Sequence, residues 1–97
     1  MPKGFYVNLE TLTGPKRWRV EYRRTPRKYG QTDWSRSVIE VDPAQTRLEL
    51  VDTLVHELCH VVMGVQHDET IESVISKFAA SVTETLFRAK LIAPEEK

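Results

Sequence analysis

The sequence has little that could brace a small fold covalently or carry it into a membrane. Its 97 residues include a single cysteine, Cys59, so no disulfide can form within the chain, and this excludes a secreted disulfide scaffold. No apolar run approaches the roughly 20 residues that span a bilayer, and the N-terminus lacks a signal-peptide pattern. We therefore expect a soluble cytoplasmic protein that does not enter a membrane.

Net charge is also absent, but the balance of 14 Lys+Arg against 14 Asp+Glu conceals two opposite halves. Residues 1–38 carry about +6 and residues 39–97 about −6, so the halves should attract each other. The basic segment could instead contact a nucleic acid, because the aromatic residues Trp18, Tyr22 and Tyr29 are interleaved with its cations. Those cations are Lys16, Arg17, Arg19, Arg23, Arg24, Arg27 and Lys28.

The apolar pattern predicts short strands first and helices afterwards. Residues 5–9 and 18–22 alternate like half-buried strands, residues 37–41 form a third short strand, and the aperiodic stretch 25–37 is expected to be a loop. The chain is too short for two ordinary cores. We therefore predict one domain over residues 1–97 with an α+β fold, in which a small antiparallel sheet of about three strands packs on two helices.

The first helix has clear start and stop signals. Thr46 and Glu49 have the spacing of a capping box, and Gly64 can end the helix. Its predicted apolar stripe consists of Val51, Leu54, Val55, Leu58 and Val62. A second helix is expected to begin near Asp68 and to end before Pro94, with an inward stripe of Ile71, Val74, Ile75, Phe78, Val82 and Ala89.

Within the first helix lies the sequence His56-Glu57-Leu58-Cys59-His60, an HExxH motif. Residues four apart share a helix face, so both imidazoles can bind one zinc ion, and Glu57 beside them can act as a general base toward water. The three side chains lie opposite the predicted apolar stripe, so another element should cover this side and leave a cleft. The alternatives are an ordinary polar helix face and a closed structural zinc site, for which only Cys59 could add a thiolate.

A catalytic zinc needs a third protein ligand. The candidates are His67, Asp68, Glu69 and Glu72. On a helical wheel Glu72 lies at the edge of the inward stripe while Glu69 points outward, so we predict Glu72 as the third ligand and keep His67, in the connection after Gly64, as the alternative.

Further residues have possible supporting roles. Tyr22, Tyr29 or His67 could donate a hydrogen bond to an oxyanion. Asp52, one turn before His56, could orient a ligand imidazole. Cys59 is expected to be a small buried apolar residue, and the strand 37–41 could bind a substrate backbone along its edge.

The motif and its context resemble the gluzincin branch of zinc metallopeptidases in a minimal form, especially the short HExxH proteins of bacteriophages and the ImmA/IrrE-type peptidases. The resemblance covers about residues 38–86 and includes Glu72, six residues before the pair Phe78-Ala79. The metzincin pattern does not fit, because Gly64 and His67 each come one residue late.

This resemblance implies a minimal zincin-like fold and a zinc-dependent metallopeptidase that hydrolyses peptide bonds through a metal-activated water. It implies one Zn2+ ion held by His56, His60 and Glu72, with Glu57 as the catalytic base. It also implies a peptide or protein substrate and, for a phage-encoded chain, the cytoplasm of a bacterial host. The alternative is a metal-stabilised regulatory module that binds nucleic acid or protein and has an inactive zincin site.

Overall fold

The computed structural model describes residues 3–25, 28–65 and 69–92. Its elements are β1 (Phe5–Thr11), β2 (Gly14–Tyr22), β3 (Gly30–Asp33), β4 (Val38–Val41), α1 (Arg47–Met63) and α2 (Glu69–Arg88). The strands form one sheet, and the predicted α+β class is confirmed. Among the described residues no helix is both long and apolar enough to cross a bilayer.

The sheet has four strands in the order β1-β2-β4-β3, one more than predicted. It is mixed rather than antiparallel, because β4 pairs in parallel with β2 and antiparallel with β3. The added strand β3, with the sequence Gly-Gln-Thr-Asp, was predicted as loop because it has no apolar alternation. Since β4 lies between two strands with all four residues buried, the prediction that residues 37–41 form an edge strand is wrong.

One face of the sheet packs on α1 and forms the hydrophobic core. The buried members of this core are Trp18, Val20, Ile39, Val41 and Val61. Each such side chain stabilises the fold by roughly 1.5–3 kcal/mol. Leu50, Leu54 and Leu58 of α1 pack against them. The apolar stripe predicted for α1 was therefore partly wrong: it included Leu54 and Leu58, which pack on the core, but missed the buried Val61.

Both predicted ends of α1 are confirmed. The Thr46 hydroxyl accepts from the Glu49 backbone N–H, and the Glu49 carboxylate accepts from the Thr46 N–H, which is a complete capping box. Gly64 takes the left-handed conformation, with φ of 67°, where its N–H reaches the last carbonyls of the helix. These ends fix which residues of α1 share a face.

Helix α2 packs on α1 and contacts no strand among the described elements. Its buried face consists of Ile75, Ala79 and Thr83, so the predicted inward stripe was partly wrong: Val74 is 61% exposed and Phe78 53% exposed. A helix that touches only one neighbour buries a narrow face, and here Ala79, fully buried, allows the close approach. The predicted start at Asp68 and the segment after residue 92 lie outside the described residues.

Candidate metal centre

Helices α1 and α2 bring two imidazoles and one carboxylate together. The Nε2 atom of His56 lies 2.5 Å from Oε1 of Glu72, and Nε2 of His60 lies 2.9 Å from Oε2 of the same residue. The imidazole centroids are 5.1 Å apart, as expected for side chains one helical turn apart. A single carboxylate from α2 thus faces both histidines of the HExxH motif.

The second ring nitrogen of His60 fixes how this histidine can act. Its Nδ1 lies 2.9 Å from the carbonyl oxygen of Val65, in the segment that leaves α1. A carbonyl can only accept, so Nδ1 carries a proton, and in a neutral ring Nε2 then holds the lone pair. Metal-ligating histidines are commonly oriented by such a contact, and His60 is nearly buried at 6% exposure.

The contacts of Glu72 have hydrogen-bond lengths. Two imidazole nitrogens with lone pairs would repel a carboxylate at these distances, so here each nitrogen shares a proton with Glu72, and a zinc ion with ligand bonds of about 2.0–2.2 Å would hold the same three atoms further apart. One divalent ion would satisfy both nitrogens and the carboxylate together. The donor set of two imidazole nitrogens and a carboxylate oxygen is one that zinc commonly accepts.

Glu57 lies beside this group and is held by a different element. Its carboxylate is 4.0 Å from Nε2 of His56, and the ligand atoms of His56, Glu57 and His60 all lie within 4.8 Å of one another. The Thr32 hydroxyl of β3 donates to Oε1 of Glu57 at 3.0 Å. Sequence reasoning missed Thr32 because it missed β3.

Close approach of β3 to α1 depends on Gly30. A Cβ atom on Gly30 would lie 2.6 Å from Cγ2 of Thr53 and 3.6 Å from Cγ of Glu57. Any larger side chain would therefore push the strand away from the helix. Glycine at this position brings β3 close enough to α1 for Thr32, two residues further along the strand, to reach Glu57.

The group opens into a cleft of about 690 Å³ between β3, α1 and the start of α2. The cleft that the HExxH motif predicted is present, and β3 is the covering element. Of the three residues predicted as oxyanion donors, Tyr29 lines the cleft, and Tyr22 instead lies beside Phe5. His67 lies outside the described residues.

The remaining residues that the sequence suggested for the site lie in different surroundings. Asp52 lines the cleft, but in the described part of the chain it makes no hydrogen bond to His56. Glu69 is exposed at the start of α2, and Asp68 lies outside the described residues. Cys59 is half-buried and burial raises the pKa of its thiol, which disfavours the thiolate that a metal ligand requires.

Part of the basic segment is paired with neighbouring carboxylates. Trp18 is buried at 1% exposure and cannot stack on a base. Three of its arginines have carboxylate partners: Arg19 pairs with Glu21, Arg23 with Glu40 and Arg24 with Asp42. Tyr29 is 65% exposed, and contact of this segment with a nucleic acid stays a prediction.

Comparisons of this chain with protein-family models, with curated proteins and with solved structures find no match.

Proposed function

We propose that this protein is a zinc-dependent metallopeptidase in which His56, His60 and Glu72 bind the ion and Glu57 is the general base. The observation that carries the proposal is the placement of one Glu72 oxygen on each HExxH imidazole, with Glu57 at their side. A polar surface helix would not need a carboxylate from a second helix at this point.

Three protein ligands beside an open cleft favour a catalytic rather than a structural ion, because structural zinc normally has four protein ligands. Zinc bound here supplies Lewis-acid chemistry, polarising a carbonyl and acidifying a water molecule. His56, His60 and Glu72 would hold this ion.

Glu57 supplies the proton transfers. Its carboxylate lies within the cleft, where it takes a proton from the attacking water and later delivers it to the leaving amine. The Thr32 hydroxyl occupies one carboxylate oxygen and so leaves the other for this task.

Strand β3 supports a peptide as the substrate. The Asp42 N–H donates to the Tyr29 carbonyl, so Tyr29 directs its backbone groups toward β4, and by alternation Gly30 and Thr32 direct theirs toward the open edge. An extended peptide can pair with this edge along the cleft. The substrate binds beside β3, not beside β4.

The proposal includes action in the cytoplasm, of a bacterial host if the chain is phage-encoded. The single cysteine supports a reducing compartment.

Metal content tests the ligand set. Protein purified without chelator should contain one zinc per chain by elemental analysis, and His56→Ala and Glu72→Ala should lose it. His67→Ala should retain the metal, and loss of zinc there with retention in Glu72→Ala would reverse the choice of third ligand. Zinc-free wild-type protein that takes up no added zinc would refute the site.

Peptide hydrolysis tests the activity. Glu57→Gln should keep one zinc per chain and lower turnover of a peptide library by about 100- to 10,000-fold. Turnover at the wild-type rate in this variant would refute the role of Glu57. Absence of hydrolysis by zinc-loaded wild type would refute the peptidase.

A further inference from the structure

Helix α2 carries an exposed apolar face that no described element covers. Val74, Phe78, Ser81 and Thr85 follow at intervals of four, three and four residues, so they share one side of the helix, which we call the α2 flank. Val74 is 61% exposed, Phe78 is 53% exposed, and both Ser81 and Thr85 are exposed. The flank therefore presents two large apolar side chains at one end and two small ones at the other.

Two opposite charges border this flank on the same side. Lys77 directly precedes Phe78 and Glu84 directly precedes Thr85, so the two exposed charges lie along one edge, seven residues apart. The Glu84 carboxylate accepts from Arg88 at 2.7 Å within the helix, through Oε1. Its second oxygen is available to another cation.

The order of these residues is complementary to itself when reversed. Two α2 helices packed antiparallel about a two-fold axis near residue 80 place Lys77 beside Glu84 of the partner subunit, and do so twice. The same register sets Phe78 against the small Ser81 of the partner subunit, and Val74 against its Thr85. A parallel arrangement would not bring these charges together.

We propose that this protein self-associates through the α2 flank, as an antiparallel dimer of two copies of the chain. Charge complementarity between Lys77 and Glu84 selects a second copy as the occupant. The contact is a single helix pair, so the association is weak and depends on protein concentration. Glu72 projects from α2 on the side that faces α1, so the dimer leaves the cleft open.

Sedimentation velocity across a concentration series, with the full-length chain, tests the surface. Wild type should shift from monomer to dimer as concentration rises, and Phe78→Asp should remain monomeric. Phe87→Asp is the matched control, because Phe87 is 39% exposed on the same helix but lies off the flank. Circular dichroism confirms that each variant is folded.

Charge exchange tests the register. Lys77→Glu and Glu84→Lys should each weaken self-association by roughly tenfold, since two like-charged contacts replace two opposite ones. The double variant should regain the wild-type dissociation constant. Mixing the two single variants should give a heterodimer tighter than either homodimer, an outcome that only contact between chains produces.

A wild-type chain that remains monomeric up to millimolar concentration would overturn the proposal. So would a dimer that persists unchanged in Phe78→Asp, because another surface would then hold it. If the double exchange fails to restore what the single changes lose, the antiparallel register is wrong.

Discussion

Buried or half-buried carboxylates occur on both sides of the sheet, but their surroundings differ. Glu40 is 3% exposed and points away from α1, where it accepts from Gln31 at 2.8 Å and from Arg23 at 3.3 Å. Glu57 and Glu72 lie on the α1 side and face imidazoles within a cleft. Glu40 is buried, whereas the side chains of Glu57 and Glu72 remain 13% and 28% exposed.

The comparison shows what distinguishes a structural carboxylate from one suited to metal chemistry. Arg23 supplies a permanent cation to Glu40, so its site is closed and complete. Glu72 instead faces two imidazoles, which must share protons or a metal ion to tolerate it. A buried acid is therefore informative about function only when its partners can also be ligands and a substrate could reach them.

The largest expected effect comes from the ion itself. Zinc at about 1,000 times its dissociation constant should stabilise the protein by about 4 kcal/mol, a rise in melting temperature of roughly 15 °C or more. Chelator should remove this rise, and His60→Ala should never show it. Thermal unfolding of both proteins, with and without zinc, measures the difference. Equal shifts in the two would place the ion elsewhere.

The next largest effect is expected for Gly30→Ala. This change should lower the free energy of unfolding by about 2–3 kcal/mol, because the added methyl meets Thr53. Adding Thr53→Ser removes Cγ2 while keeping the hydroxyl that donates to Gln45, so the double variant should recover part of the loss; the rest remains because the Glu40 carbonyl oxygen would still lie 3.0 Å from the added methyl. Urea denaturation gives both values. No recovery in the double variant would mean that the clash with Thr53 is not the cause.

Glu40→Gln tests the other side of the sheet. It should cost about 1–2 kcal/mol, because an amide nitrogen would face the Arg23 guanidinium, while zinc content stays at the wild-type value. Glu72→Gln is the matched change in the cleft and should lower zinc affinity instead. Isothermal titration with zinc separates the two. Similar zinc affinities in both variants would contradict the comparison.

Thr32→Val should lower turnover by about tenfold with zinc content unchanged, because Glu57 loses the donor that orients it. Thr32→Ser keeps the hydroxyl and should retain most of the activity. The ratio of kcat values at saturating peptide measures the effect. A loss of zinc in Thr32→Val would show that the threonine supports the ligands rather than the base.

The smallest expected effect is on the pH dependence of stability, and it involves Glu49, which lies outside both the Glu40 site and the cleft. The backbone N–H of Thr46, and then its hydroxyl, hold the pKa of Glu49 below its ordinary value of 4.5. A depressed carboxyl pKa stabilises the fold above the unfolded pKa, and the benefit is lost as pH falls through the folded one. The stability difference between wild type and Glu49→Gln should therefore shrink below about pH 4.5. A constant difference would refute this linkage.

Sequence reasoning located α1 and its ends because capping, periodicity and a terminal glycine agree there. It placed Glu72 near the motif because helical spacing constrains which side chains lie on the inner side of α2. It could not find β3, since an edge strand with polar neighbours has no apolar alternation, and Thr32 was lost with it. Nor could it foresee that, within the described part of the chain, α2 contacts no element other than α1, which leaves Phe78 exposed.

The docking of α2 on α1 has a consequence for the protein in the cell. Because α2 contacts only α1 among the described elements, an ion held by His56, His60 and Glu72 would link α2 more firmly to the rest of the molecule. Starvation for zinc would then loosen that helix and uncover its inner residues to degradation. The abundance of the protein, and not only its catalytic rate, would follow the supply of its ion.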